Sequence, residues 1–287
     1  MRVSRALNFS ALNGRLYSPH QIRCSVECSR TTNLSAAARA VCLPVVTYFT
    51  ALVMAAAAVG QYELYRMAHA RGFHPNRVLG MVLGALVVME FYRQSALGPG
   101  PVLSITASTI LVLVARLLSP RPVDGAVEDI ASTLLGIFYV AMLFAFQVSI
   151  RTGLHGKQWL VFLYFVIWAS DIGAYSIGIP FGKHRLYEKV SPKKSIEGLI
   201  GALAAAAGMA LLCRAWFMPP VSTGEAIALG LVLASVGTVG DLAESLFKRA
   251  AGVKDSGGII PGHGGILDRM DSMLFAAPVM YFYLGMR

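Results

Sequence analysis

Eight apolar stretches run along the chain, at roughly 41–60, 78–92, 96–115, 130–150, 158–181, 196–213, 224–240 and 272–286. Most approach the ~20 residues that an α-helix needs to cross a hydrocarbon core. The second is the weakest, charge-free only from Val78 to Met89, and it contains Gly80-x-x-x-Gly84, a spacing that lets two helices approach closely. Backbone polar groups left unpaired in lipid are costly, so these runs are expected as helices rather than isolated strands. The expected fold class is an all-α polytopic integral membrane protein, with about eight transmembrane helices and a polar active-site loop between the last two.

Composition agrees with that pattern. Hydrophobic residues make up 56%, charged residues 14%, and the mean hydropathy is +0.61, whereas a soluble domain carries about a quarter charged residues. The net charge of +10 would suggest nucleic acid in a soluble protein. Here the basic residues sit between apolar runs, where they orient the chain in the bilayer and face anionic headgroups. Loops after the first, third, fifth and seventh runs hold fourteen Lys and Arg, and the alternate loops hold four. The positive-inside bias therefore places the loops at 182–195 and 241–271 on one cytosol-like face.

Residues 1–40 differ from the rest, with six arginines, six serines and a single acid, Glu27. An Arg- and Ser-rich, acid-poor leader without a long apolar core has the character of an organelle transit peptide. The chain thus divides into that leader and a transmembrane domain over 41–287. The four cysteines, Cys24, Cys28, Cys42 and Cys213, lack metal-binding spacing with histidine and suggest no disulfide framework.

Polar chemistry concentrates in two places. The segment 241–271 reads DLAESLFKRAAGVKDSGGIIPGHGGILDRMD. Asp241, Glu244, Ser245 and Lys248 fall at i, i+3, i+4 and i+7, on one face of a helix. The Gly- and Pro-rich stretch that follows frees backbone N–H groups and admits a ligand closely. A second helix is expected to begin near Gly265, with Asp268 in an early turn and Asp271 one turn later. A solvated loop would need no such alternation of acids, bases, glycine and histidine. Carboxylates beside Lys and Arg suit a divalent cation and a polyphosphate.

The second place is SDIGAYSIGIPFGKHRLYEKVSPKKSIEG, residues 170–198. Asp171 is the only charged residue between Lys157 and Lys183. A carboxylate at mid-membrane costs roughly 2.5–3.5 kcal/mol on insertion scales, which marks it as a functional candidate. Ser191 is expected as an N-cap and Pro192 as the first helical residue, which would put Lys193 and Lys194 at a helix N-terminus suited to phosphate.

Together these blocks resemble the phosphatidate cytidylyltransferase (CDP-diacylglycerol synthase) family. The matching positions are Ser245-Leu-Phe-Lys248-Arg249, Lys254-Asp255, Pro261-Gly-His263-Gly264-Gly265 and Asp268-Arg269-Met-Asp271, with DIGAY and SPKKSIEG upstream. IASTLLGIFY, ending at Tyr139, is similar to plastid members. The resemblance implies transfer of a cytidylyl group from CTP to phosphatidate, releasing pyrophosphate, in phospholipid biosynthesis. It also implies Mg²⁺ held by Asp241 and Asp268, with Asp271, Asp255 or Glu244 helping. Lys248, Arg249, Lys254 and Arg269 would then hold phosphate, and His263 would donate to the leaving pyrophosphate. Asp171, Ser191, Lys193, Lys194, Glu197, Glu244, Ser245, Gly264 and Gly265 are the expected substrate contacts. The expected partners are CTP, phosphatidate and the bilayer, with a homodimer as the assembly, no nucleic acid, and a plastid membrane as the location. A transporter would instead gather its polar residues at the midplane, and a CTP-dependent lipid kinase would release CDP.

Overall fold

A computed structural model describes residues 36–93, 98–218, 221–257 and 264–287. Each apolar stretch forms a helix there: α1 (Ala36–Ala70), α2 (Arg77–Arg93), α3 (Pro99–Leu117), α4 (Ala126–Thr152), α5 (Gly156–Phe181), α6 (Ile196–Trp216), α7 (Thr223–Ala251) and α8 (Leu267–Met286). Six of the eight are long and apolar enough to cross a membrane, the exceptions being α2 and α8. The expected transit peptide falls almost wholly outside the described residues.

The helices extend past the apolar runs that announced them. α1 continues to Ala70, and α7 continues to Ala251. The polar residues from Asp241 to Arg249 occupy the last turns of α7, on the helix that their spacing announced. α7 begins at a capping box, in which the Ser222 hydroxyl accepts from the Glu225 N–H and the Glu225 carboxylate accepts from the Ser222 N–H, both at 3.2 Å. It ends at Gly252, whose φ of +73° is the left-handed conformation that glycine adopts without a steric penalty.

α4 is the central helix: 72% of its apolar window is buried, against 17–39% for the other candidate spans. Its middle, Gly136–Met142, winds as a π-helix. α1 and α2 meet at the Gly80-x-x-x-Gly84 pair, where added Cβ atoms would collide with Tyr65 and Gln61. α5 and α6 pack most closely where Gly173 faces Gly201, and a Cβ on Gly173 would come within 2.5 Å of the Gly201 carbonyl oxygen.

Between α5 and α6 stands a small antiparallel hairpin, β1 (Arg185–Tyr187) and β2 (Ser191–Ser195), pairing Arg185 with Ser195 and Tyr187 with Ser191. This corrects the expected helix start at Ser191 and Pro192. The cap is Ser195, whose hydroxyl accepts from the Gly198 N–H at 3.1 Å. Ser-Pro before a lysine pair reads locally as a helix start, but the chain stays extended for one more cap-like serine. In a strand, successive side chains point to opposite faces, so Lys193 and Lys194 separate.

Candidate active site

The last turns of α7, the first turns of α8 and the β-hairpin converge at one end of the bundle. They carry two clusters of charge.

The first centres on Lys248. Its ammonium is ion-paired with Glu244, one turn earlier on α7, and with Asp268 of α8 at 2.6 Å. Glu244 is fully buried. The second Asp268 oxygen accepts from the Ser256 N–H at 3.0 Å, the Ser256 hydroxyl at 2.8 Å and the Gly265 N–H at 2.8 Å. Burial pushes the Asp268 carboxyl up, but the Lys248 ammonium and the Gly265 N–H outweigh it and hold the group well below the usual carboxylate range. Gly264, at φ +78°, turns the chain so that its neighbour's N–H can point at Asp268.

The second centres on Lys194. Its ammonium lies 2.6 Å from Asp241 of α7. Asp171 of α5 and Asp271 of α8 are both within electrostatic reach of Asp241 and Lys194. Ser245 donates to the other Asp241 oxygen at 3.4 Å. The lone acid of the fifth apolar run thus joins two carboxylates from the signature segment, as expected of a site where the two blocks meet.

Other expected residues take different places. Glu197 accepts from the backbone N–H of Lys183 and His184 and lies 2.6 Å from the His184 ring, so it ties the base of the hairpin together. The Arg249 guanidinium donates to the Val190 carbonyl at 3.3 Å, which fastens α7 to the hairpin. The side chains of Lys193, Lys254 and Asp255 are exposed and make no hydrogen bond or ion pair among the described residues; Arg269 is exposed too. His263 lies outside the described residues. Asp241 and Asp268, read together as metal ligands, belong to separate clusters, each engaged by a lysine.

The support for this end of the bundle comes from a residue the sequence reading passed over. Glu63 of α1 is buried and accepts from the N–H of Ile266 at 3.1 Å and Leu267 at 2.9 Å, and from the Ser256 hydroxyl at 3.2 Å. Its carboxylate caps the N-terminus of α8, where orphan N–H groups and the helix dipole favour negative charge. Gly257 and Gly265 pack against it so closely that a Cβ on either would overlap its carboxylate. Arg66 donates to the Ser256 carbonyl at 3.0 Å, and Arg71 donates to the Ala250 carbonyl. Glu63 is the one acid between Glu27 and Glu90, but Arg66 follows three residues on, so it lacks the isolation that singled out Asp171. The first apolar run, taken to end at residue 60, left it in a loop.

Comparison with known proteins agrees with these blocks. The pattern that defines the cytidylyltransferase family matches residues 31–286. The chain is 31% identical over 243 residues to the phosphatidate cytidylyltransferase of Bacillus subtilis, covering 83% of this chain and 89% of that protein. It is 33% identical over 269 residues to the enzyme of that name from Synechocystis, covering 83% and 88%. Over a shorter stretch of 181 residues it is 38% identical to that of Staphylococcus aureus, covering 63% of this chain and 68% of that protein. On a match spanning nearly its whole length, the chain belongs to the cytidylyltransferase family.

Proposed function

We propose that this integral membrane enzyme is a phosphatidate cytidylyltransferase, which converts CTP and phosphatidate to CDP-diacylglycerol and pyrophosphate. The observation that carries the reading is the likeness to three enzymes of that name, two of them over 83% of the chain. The chemistry suits it. An oxygen of the lipid phosphomonoester attacks the α-phosphorus of CTP, and the bond from that phosphorus to the bridging oxygen breaks to release pyrophosphate. The attacking oxygen is already largely ionised at neutral pH, so no strong general base is needed. The protein's task is to bring two anions together and hold them in line. Lys194 on β2 and Lys248 on α7 supply positive charge. Arg249 braces the hairpin that carries Lys194.

Charge balance supports a divalent cation. The five carboxylates of Asp171, Asp241, Glu244, Asp268 and Asp271 outnumber the two lysines among them, so a triphosphate would enter a net negative site unaided. Their oxygens are the donors Mg²⁺ takes. Among the described residues no group of three or more His, Cys, Asp or Glu is arranged to hold a metal. Mg²⁺ would sit on one or two carboxylates, Asp241 and Asp268 foremost, completed by substrate phosphates. The cation would supply charge neutralisation at the phosphates. The plastid-like IASTLLGIFY stretch and the Arg- and Ser-rich leader support a chloroplast membrane. We take the assembly to be a homodimer, with the exposed apolar surface of α5 and α6 at Trp168, Leu212 and Trp216 available to cover.

The test is purified protein with CTP labelled in the cytidine and phosphatidate in mixed micelles, with and without Mg²⁺. CDP-diacylglycerol and pyrophosphate in equal amounts are expected. Release of CDP with a diphosphorylated lipid would identify a kinase and overturn the reading. Location is checked by a fluorescent fusion lacking residues 1–40, which should lose plastid targeting; the assembly is checked by light scattering, where a monomer's mass would refute the dimer.

A further inference from the structure

We infer that Tyr139 is a catalytic residue of this centre, donating a hydrogen bond from its phenol to a phosphate oxygen of the nucleotide. The inference rests on the functional reading above and adds a residue from α4, which contributes no other group to either cluster.

Three observations carry it. Tyr139 is 7% exposed, and its hydroxyl is buried with no hydrogen-bond partner among the described residues. Phenylalanine would fill the same space without a buried polar atom to satisfy, so a purely structural role gives no reason for the oxygen. Next, the ring packs edge-on against Phe247 of α7 at 5.0 Å and Phe275 of α8 at 6.3 Å. Phe247 lies one turn from Glu244, and Phe275 one turn from Asp271, so the ring wedges between the two helix faces that carry the clusters. Glu244, Asp271 and Asp241 are its charged neighbours. Finally, Tyr139 sits inside the π-helical turn Gly136–Met142. Such a turn carries one extra residue, which rotates side chains away from their α-helical direction, and these bulges gather at functional sites.

The surroundings identify the acceptor class. Lys194 and Lys248 are each engaged by carboxylates. A third cation here would pair with a carboxylate in the same way. A phenol adds a donor without adding charge. The Tyr139 hydroxyl meets no carboxylate among the described residues, unlike that of Tyr283, which donates to Glu225, and the anion that the functional reading brings to this centre is the polyphosphate of CTP.

The experiment compares Tyr139→Phe with Tyr65→Phe in the purified full chain. Tyr65 is a second buried tyrosine, whose hydroxyl donates to the Thr133 carbonyl at 2.9 Å. Readouts are Tm, KM and kcat for CTP, and the affinity of a non-transferable α,β-methylene analogue of CTP with Mg²⁺. Tyr139→Phe should keep or raise Tm, while kcat/KM for CTP and analogue affinity both fall about tenfold or more, as expected for a hydrogen bond to a charged acceptor. Tyr65→Phe should lower Tm and leave analogue affinity within about twofold. Tyr139→Phe with analogue affinity within about twofold of wild type would overturn the inference, whatever its turnover. Wild-type protein that binds the analogue yet makes no CDP-diacylglycerol would fail the functional reading instead.

Discussion

The two lysine clusters hold similar groups in different ways. Around Lys248, two carboxylates converge on one ammonium, and Asp268 collects three further donors from the chain that leads into α8. Behind it stands Glu63, itself fully bonded. Around Lys194, three carboxylates share one lysine, and that lysine sits on a short hairpin held by Glu197 and Arg249. The first cluster is fixed by backbone and second-layer contacts before any substrate arrives. The second has more carboxylates than lysines and is carried by a two-stranded element, so it is the half that a bound ligand would change most. A preorganised half and an adaptable half suit a reaction that joins a water-soluble nucleotide to a lipid.

Four substitutions test that contrast, from the largest expected effect to the smallest. Asp268→Asn removes the charge that holds Lys248 and receives three N–H and O–H donors. Cytidylyl transfer should fall by roughly a thousandfold, in the range seen when a preorganised charge is lost, while the protein still elutes as a folded particle in detergent. Near-normal turnover would refute the role of the first cluster.

Lys194→Ala should lower kcat/KM for CTP by about a hundredfold with little change in Tm, since the adaptable cluster contributes little to the fold. A large fall in Tm would mean that the hairpin is as fixed as its counterpart.

Glu63→Gln tests the support. A neutral amide can accept only with its one oxygen and brings its own donors towards Ile266, Leu267 and Ser256. The expected cost is about 2–4 kcal/mol of stability, seen as a lower Tm, with activity reduced about tenfold in the protein that remains folded. If Tm is unchanged, the cap is not what holds the first cluster.

Glu197→Ala loosens the hairpin without touching either cluster. KM for CTP should rise by about threefold to tenfold with kcat nearly unchanged, the pattern of lost substrate binding; a fall in kcat at constant KM would contradict a positioning role for the hairpin.

The contrast also marks what the sequence could reveal. Helices were legible because each contains a long apolar run, and the i, i+3, i+4, i+7 face of Asp241, Glu244, Ser245 and Lys248 follows directly from helical geometry. The meeting of Asp171 with Asp241 and Asp271 was foreshadowed by one isolated acid in an apolar span. The split into two clusters was not, because spacing along α7 and α8 places Asp241 and Asp268 only on their own helices. Which lysine each acid meets depends on how the two helices cross. Ser191 and Pro192 misled because a helix-start signal is local, while the strand pairing Arg185 with Ser195 is not. Tyr139 was hidden for a related reason, since nothing in GIFYVAM announces an extra residue in the turn.

The bond from Glu63 to the Leu267 N–H closes a loop of 204 residues. Its two ends leave the ribosome far apart, so this contact and the first cluster cannot form until α8 has been made. A chain stalled or truncated before that helix would have most of its candidate spans in place, yet would lack Asp268 and the N–H groups that Glu63 holds. The first lysine cluster therefore assembles only when α8 meets a helix made 204 residues earlier.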